Sequence, residues 1–268
     1  MAYVADGSMD REGRKFEKQV EDILNNDVQA QIKLLGRKLE ENEIAQHVGG
    51  SNGHSDVDII DTKTNKVVML ISVKRKSKIG KTDGGITYKN FTFGKKITND
   101  ENMEKVFNEC IFWMNDARER YQSGVSKDII RSEQANLSNR VLRTMSNSTL
   151  KSLIENSIVN RDSGYDSRLV FGNEDWTVNE SMAYSEIPIV RDWNNVEDVI
   201  LNLGKSNTKQ SCKVKFLMKD GTVSDYGLRV RVHTNNGISA LVGDSGSNNS
   251  SAWCMKFQQD TVQSMLTK

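Results

Sequence analysis

GGSNGHSDVDIIDTKTNKVVMLISVKRKSKIGK, residues Gly49–Lys81, is the stretch on which the reading of this chain turns. A glycine-rich approach delivers Asp56 and Asp58 at the start of an alternating segment, which reads as a strand. Thr62–Lys66 is a turn, and the apolar run Val67–Val73 reads as a buried strand. That strand closes on Ser72-Val73-Lys74. Residues two apart on a strand share a face, so Ser72 and Lys74 are expected to point the same way. Paired as a hairpin, the two segments bring Asp56, Ser72 and Lys74 to one edge of a sheet.

The chain has 268 residues, which suits one large or two small domains. Its charged and aromatic content is that of an ordinary globular protein. No apolar run approaches the ~18 residues of a membrane span, so no membrane partner is expected. The first residues, MAYVADGSMDREGRK, lack the apolar centre of a signal peptide. Cys110, Cys212 and Cys254 are scattered and odd in number, which fits a reducing cytoplasm better than a disulfide framework. Net charge is only +1, so charge has to be read locally. Lys74, Arg75, Lys76, Lys78 and Lys81 follow one another with no acid among them, a run able to grip phosphates.

The periodicity predicts a helix over Arg11–Asn25 with Phe16, Val20, Ile23 and Leu24 as its stripe. Glu17 borders that stripe, while Glu21 lies further out. A carboxylate so near a core is costly unless a cation or metal meets it. A second helix is expected over Gln29–Asn42 with Ile32, Leu35 and Leu39 inward, followed by a loop from His47 to His54. Thr82–Lys96 reads as a loop and a short strand, with aromatics set between lysines. It either tracks a nucleic-acid backbone or is an ordinary amphipathic strand. Glu101–Tyr121 is the clearest helix and is expected to pack on the sheet that carries Asp56, Ser72 and Lys74. Further helices are expected over Ser132–Met145, Thr149–Val159 and Val196–Leu203.

The remainder reads as β: Arg168–Gly172, then Lys213–Lys219 and Thr222–Val232 around Asp220-Gly221, then Ile238–Val242 and Ala252–Phe257. Arg229, Arg231 and His233 alternate with Val230 and Val232, giving one strand a basic face. That face is either solvated or reads bases, since arginine pairs bidentately with guanine. The neighbouring Asn235 and Asn236 fall in a polar turn that is expected, on the functional reading, to reach base edges or phosphates. The expected division is a catalytic core over 1–124 and a DNA-recognition region over 125–268. His47, His54 and His233 have no metal-ligand spacing with the cysteines.

Three stretches carry a family resemblance. GRKFEKQVEDI holds Glu17, GHSDVDI through ISVK holds Asp56, Ser72 and Lys74, and GLRVRVHTNNG…NNSSAWCMKFQQD closes the chain. Together they resemble the monomeric, MspI-like type II restriction endonucleases of the PD-(D/E)xK superfamily, above all their GCGC-cutting branch. The sequence departs from the superfamily pattern at Ser55, which replaces its proline, and at Ser72, which stands at the second acid. In the MspI-like group that second position is already an amide.

The resemblance implies an α/β fold: a PD-(D/E)xK nuclease core, a mixed central sheet flanked by helices, and a C-terminal β-rich recognition region. It implies Mg²⁺, with Mn²⁺ as a substitute, held by Asp56, the Val73 carbonyl and a remote acid, Glu17. Lys74 then meets the charge that develops on phosphate, and Ser72 only hydrogen-bonds a metal water. The implied partner is double-stranded DNA cut at a short G·C-containing site. A cytoplasmic monomer with a DNA methyltransferase in the same system completes the expectation. Two readings compete with it: a structure-specific or repair nuclease on the same core, and a catalytically decayed DNA-binding module.

Overall fold

The computed structural model describes residues 8–48, 55–75, 87–159, 166–172, 183–186, 188–203, 210–235, 241 and 252–259. Their helices in chain order are α1 (Ser8–Asn26), α2 (Val28–Leu35), α3 (Glu101–Gln122), α4 (Lys127–Thr144), α5 (Asn147–Ile154) and α6 (Pro188–Asp192). The strands are β1 (Glu43–His47), β2 (Val57–Asp61), β3 (Lys66–Arg75), β4 (Thr87–Thr92), β5 (Asp166–Gly172) and β6 (Ala183–Glu186), then β7 (Val196–Asn202), β8 (Ser211–Met218), β9 (Val223–Ser224), β10 (Leu228–Thr234) and β11 (Trp253–Gln259). None of these helices is long and apolar enough to cross a membrane.

The fold is mixed α/β and forms two compact units interleaved along the chain. Described residues of 8–75 and 166–192 make the first, and those of 87–159 and 193–259 the second. The expected division at residue 124 falls between α3 and α4, which pack on each other within the second unit.

In the first unit α1 buries Phe16, Val20 and Leu24, spaced one turn apart, against Ala45, Val57, Ile59, Met69, Ile71 and Val73 of the sheet. Asp27 caps α2 by accepting the Gln29 and Ala30 N–H groups. Gly36, at φ 74°, ends the helix there rather than at Asn42, because its left-handed backbone turns the chain. Ile32 consequently lies exposed, while Leu34 and Leu35 are the buried pair.

The sheet order is β1-β2-β3-β5-β6. β1 to β3 run antiparallel, β5 lies parallel to β3, and β6 is antiparallel to β5. β1 covers a stretch read partly as loop. Along it the Asn25 side chain donates to the Ala45 carbonyl at 2.8 Å and accepts the Ala45 N–H at 2.9 Å, so an amide serves the strand as a neighbour would. Asn65, at φ 55°, closes the turn between β2 and β3, where the Asp61 carboxylate accepts the Lys63 and Thr64 N–H groups.

In the second unit the sheet order is β4-β11-β10-β8-β7, with β9 beside β8. One face is a core of Val214, Phe216, Val230, Val232, Trp253, Met255 and Phe257. α3 was expected on the catalytic sheet, but its aromatic face meets this one. The Phe107 ring lies 4.2 Å from Phe93, and Trp113 meets Trp253 edge-on at 5.6 Å.

Val196–Asn202 is a strand where a helix was expected. The buried pair Val196 and Val199 has helical spacing, but a bulge between Val196 and Asp198 supplies the extra residue that shifts the strand's alternation. The strand expected over Thr222–Val232 is broken into β9 and β10, with Gly227 at φ 70° between them. Most of the strand expected over Ile238–Val242 lies outside the described residues.

Candidate functional site

The site stands where β2 and β3 part. The last pair of their ladder at this end is Val57 with Ile71. Beyond it the Asp56 N–H donates to the Ile71 carbonyl at 2.9 Å, and the next backbone donor of β3, the Val73 N–H, has no strand opposite. The Asp56 carboxylate takes its place, accepting from Val73 at 2.6 Å. A side chain thus replaces a ladder carbonyl, and it fixes the carboxylate on the backbone between Ser72 and Lys74. The Asp56 carbonyl in turn accepts the Val48 N–H at 3.1 Å, which ties this end of the sheet to the residue after β1.

Asp58 is buried, at 8% exposure, and the equally buried Ser55 hydroxyl donates to its carboxylate. Ser55 does here what a proline cannot, since a pyrrolidine ring has no donor. The two aspartates are therefore not an ordinary solvated pair: one caps a strand and the other is a hydrogen-bonded interior acid.

Glu17 was expected to need a cation or metal, and its partner in the structure is His47, Oε2 to Nε2 at 2.8 Å. Both side chains are largely covered, at 18% and 15% exposure. His47 has no metal-ligand spacing with the cysteines, and nothing local in the sequence links residues 17 and 47. His47 stands opposite Val57 in the β1–β2 ladder, two residues from the buried Ala45, on the face where α1 packs. Asp56 and Asp58 occupy the alternate positions to Val57 and Ile59. Glu17 and Asp56 therefore approach the strand end from opposite faces of the sheet. Glu21, expected to lie well out, is also half-buried.

The backbones of Ser72, Lys74 and Arg75 continue β3, pairing with Leu169, Phe171 and Gly172 of β5, while their side chains lie outside the description. Lys76, Lys78, Lys81 and Asn236 lie outside the described residues altogether. Among the described residues no three histidine, cysteine or acidic side chains gather as they would around one ion. The cysteines do not suggest thiol chemistry: all three are buried, and burial pushes the Cys110 thiol up to about 12.

Arg229, Arg231, His233 and Asn235 belong to the second unit, on and just after β10. The His233 Nδ1 contacts the Thr234 carbonyl at 2.8 Å and so is the protonated nitrogen, while Cys254 Sγ donates to Asn235 Oδ1 at 3.0 Å. Burial pushes the His233 imidazole below its ordinary range. The Thr234 carbonyl opposes this, and the positive charges of Arg231 and Lys256 reinforce it.

A depressed histidine is neutral in the fold and binds its proton more readily when unfolded. Its contribution to stability is complete above pH ~6.5 and is lost as pH falls through the lower folded value. Thermal unfolding from pH 7.5 down to 5.5 should therefore show a falling midpoint that is flatter in His233→Gln. Parallel curves for the two proteins would show that His233 does not carry the effect.

A hollow of about 670 Å³ in the second unit, lined by polar and apolar residues such as Phe91, Lys96, Asp100, Thr149 and Leu153, holds none of the expected site residues. No protein-family model matches the chain, and neither the curated proteins nor the solved structures contain a match to it.

Proposed function

We propose that this protein is a Mg²⁺-dependent endonuclease of the type II restriction kind. It hydrolyses phosphodiester bonds in double-stranded DNA at a short G·C-containing, GCGC-like site. The observation that carries the reading is the Asp56 carboxylate fixed on the Val73 amide, at the point where β2 and β3 separate. The order of elements is a further support: a helix, a three-stranded meander and a later strand parallel to β3, the kind of sheet such a nuclease would need.

The donors on offer are carboxylate and carbonyl oxygens, the chemistry a hard divalent cation prefers. Asp56 with the Val73 carbonyl, and Glu17 coming from the opposite face of the sheet, would hold Mg²⁺ at the open strand end; each carboxylate has an oxygen besides the one bonded to Val73 or His47. A bound divalent ion draws charge from a phosphate and acidifies water. Asp56 anchors the strand end, and Lys74, two residues past Ser72, meets negative charge developing on the phosphate. Ser72 contributes a hydroxyl and no charge. In this reading the enzyme works in the cytoplasm as a monomer, and a methyltransferase in the same system protects the host's own sites.

Plasmid DNA incubated with the protein and Mg²⁺ tests this. Discrete fragments whose ends share one short sequence support restriction. Cutting confined to nicked, flapped or junction DNA would replace it with a repair nuclease. Duplex binding without cutting would indicate a decayed binding module, the reading that Ser72 at the second acid's place favours.

Glu17→Gln should weaken Mn²⁺ binding by about 10–100-fold in a calorimetric titration and slow cleavage, with partial rescue at high Mg²⁺ or by Mn²⁺. Glu21→Gln should do much less. Unaltered metal affinity in Glu17→Gln would leave Glu17 as the structural partner of His47 alone.

A further inference from the structure

We infer that the solvent face of the second sheet is a sequence-independent grip for the phosphate backbone of duplex DNA. This rests on the reading above, in which duplex DNA is the substrate, and assigns the face a task separate from cutting and from base reading. The inference starts from register. Arg229 of β10 stands opposite Lys213 of β8 and Gln258 of β11. Arg231 stands opposite Ser211 and Lys256. Their strand neighbours Val230, Cys212, Met255 and Phe257 are buried, so the polar positions share the other face. The Arg229 Nη1 to Ser211 Oγ contact, 3.3 Å, confirms that shared face.

Lys215, two residues beyond Lys213, adds a further cation. Lys213, Lys215, Arg229, Arg231 and Lys256 thus lie on three adjacent strands, β8, β10 and β11. Asp225 partners two of them, bonding Lys215 at 2.5 Å with Lys213 at 3.9 Å. The side chains of Arg231 and Lys256 make no hydrogen bond or ion pair among the described residues. Like charges set directly across a ladder destabilise a sheet. One such pair, Arg231 with Lys256, therefore costs the fold stability that an external polyanion would return.

Geometry decides between backbone and bases. The major groove, ~12 Å wide, admits a helix or a two-stranded ribbon. β10 has β11 and β8 on its flanks and β4 and β7 beyond them. At ~4.8 Å between strands the sheet is roughly 19 Å across, too broad to enter. Its side chains meet phosphates on the groove rims instead. Single-strand binding needs aromatic stacking platforms, and here the rings of Phe216, Trp253 and Phe257 are on the buried side.

The test is fluorescence anisotropy in EDTA, where nothing is cut, using labelled duplexes with and without GCGC. Arg231→Gln combined with Lys256→Gln should weaken both duplexes by the same factor. Two lost phosphate contacts lower the slope of log K against log salt by ~1.8, or about 60-fold in affinity at 0.1 M salt. The thermal midpoint should hold or rise, because a like-charge pair has been relieved.

Unchanged affinity would overturn the inference, as would no duplex binding by wild type. So would a loss confined to the GCGC duplex, which would make these residues base readers. Tighter wild-type binding to single-stranded DNA, duplex RNA or polyglutamate would also overturn it. Wild-type plasmid cutting is scored separately. A cutting enzyme whose double variant binds normally refutes the surface alone, and a non-cutting protein whose double variant loses binding refutes the nuclease alone.

Discussion

Asp56→Asn is expected to lower cleavage by about 10³-fold or more while leaving the protein folded. The substitution separates the two things this carboxylate does. As an acceptor it satisfies the Val73 N–H at 2.6 Å, where the β2–β3 ladder has run out. Asparagine keeps a carbonyl oxygen for that bond, so the strand end and the thermal midpoint should survive. As a charge, Asp56 is fixed on the β3 backbone between Ser72 and Lys74, and asparagine removes it. Alanine removes both and should add a stability loss of ~1–3 kcal/mol for an orphaned backbone donor. Lys74→Ala, which removes the cation proposed to face the phosphate, should slow cleavage by about 10²–10³-fold with duplex binding in EDTA retained. Single-turnover cleavage beside thermal unfolding reads all three. An Asp56→Asn enzyme that cuts near the wild-type rate would reduce Asp56 to a strand cap and move the chemistry elsewhere.

Trp253→Ala should be the most damaging change to the second unit, costing ~3–5 kcal/mol. Trp253 is 1% exposed, the largest fully buried side chain described. It stacks with Phe93 at 6.2 Å and meets Trp113 edge to face at 5.6 Å, so it joins β11 to the residue that follows β4 and to α3. Against a typical domain stability of ~5–15 kcal/mol that loss is roughly a fifth or more, and the unfolding midpoint should drop by on the order of 10 °C.

Trp253→Phe should cost well under half as much. The indole Nε1 is buried without a hydrogen-bond partner among the described residues, so phenylalanine removes an unsatisfied donor along with some ring volume. Equal losses for Ala and Phe would mean that the indole N–H is in fact satisfied in the folded protein.

Residue patterns local to one segment were legible without coordinates. The hairpin from Val57 to Arg75, the stripe of α1, the helix Glu101–Gln122 and the turn at Asp220-Gly221 all follow from periodicity and turn chemistry, which act over a few residues. The placing of Asp56 before a strand and Lys74 at the end of the next was readable for the same reason. So was the conflict at Glu17, an acid beside an apolar stripe.

Tertiary structure decided the partners. β5 joins β3 only after the described stretch 87–159 has been laid into the other unit, and parallel pairing of that kind leaves no local trace. Val196–Asn202 has helical apolar spacing, yet β8 pairs with it and a bulge absorbs the mismatch. Glu17 met His47, thirty residues away, because α1 packs across β1. Lys256 came to stand opposite Arg231 through strand register alone. Side-chain type and spacing are properties of the chain, whereas the charge or hydrogen-bond partner each group finally meets is set by which distant strand closes against it.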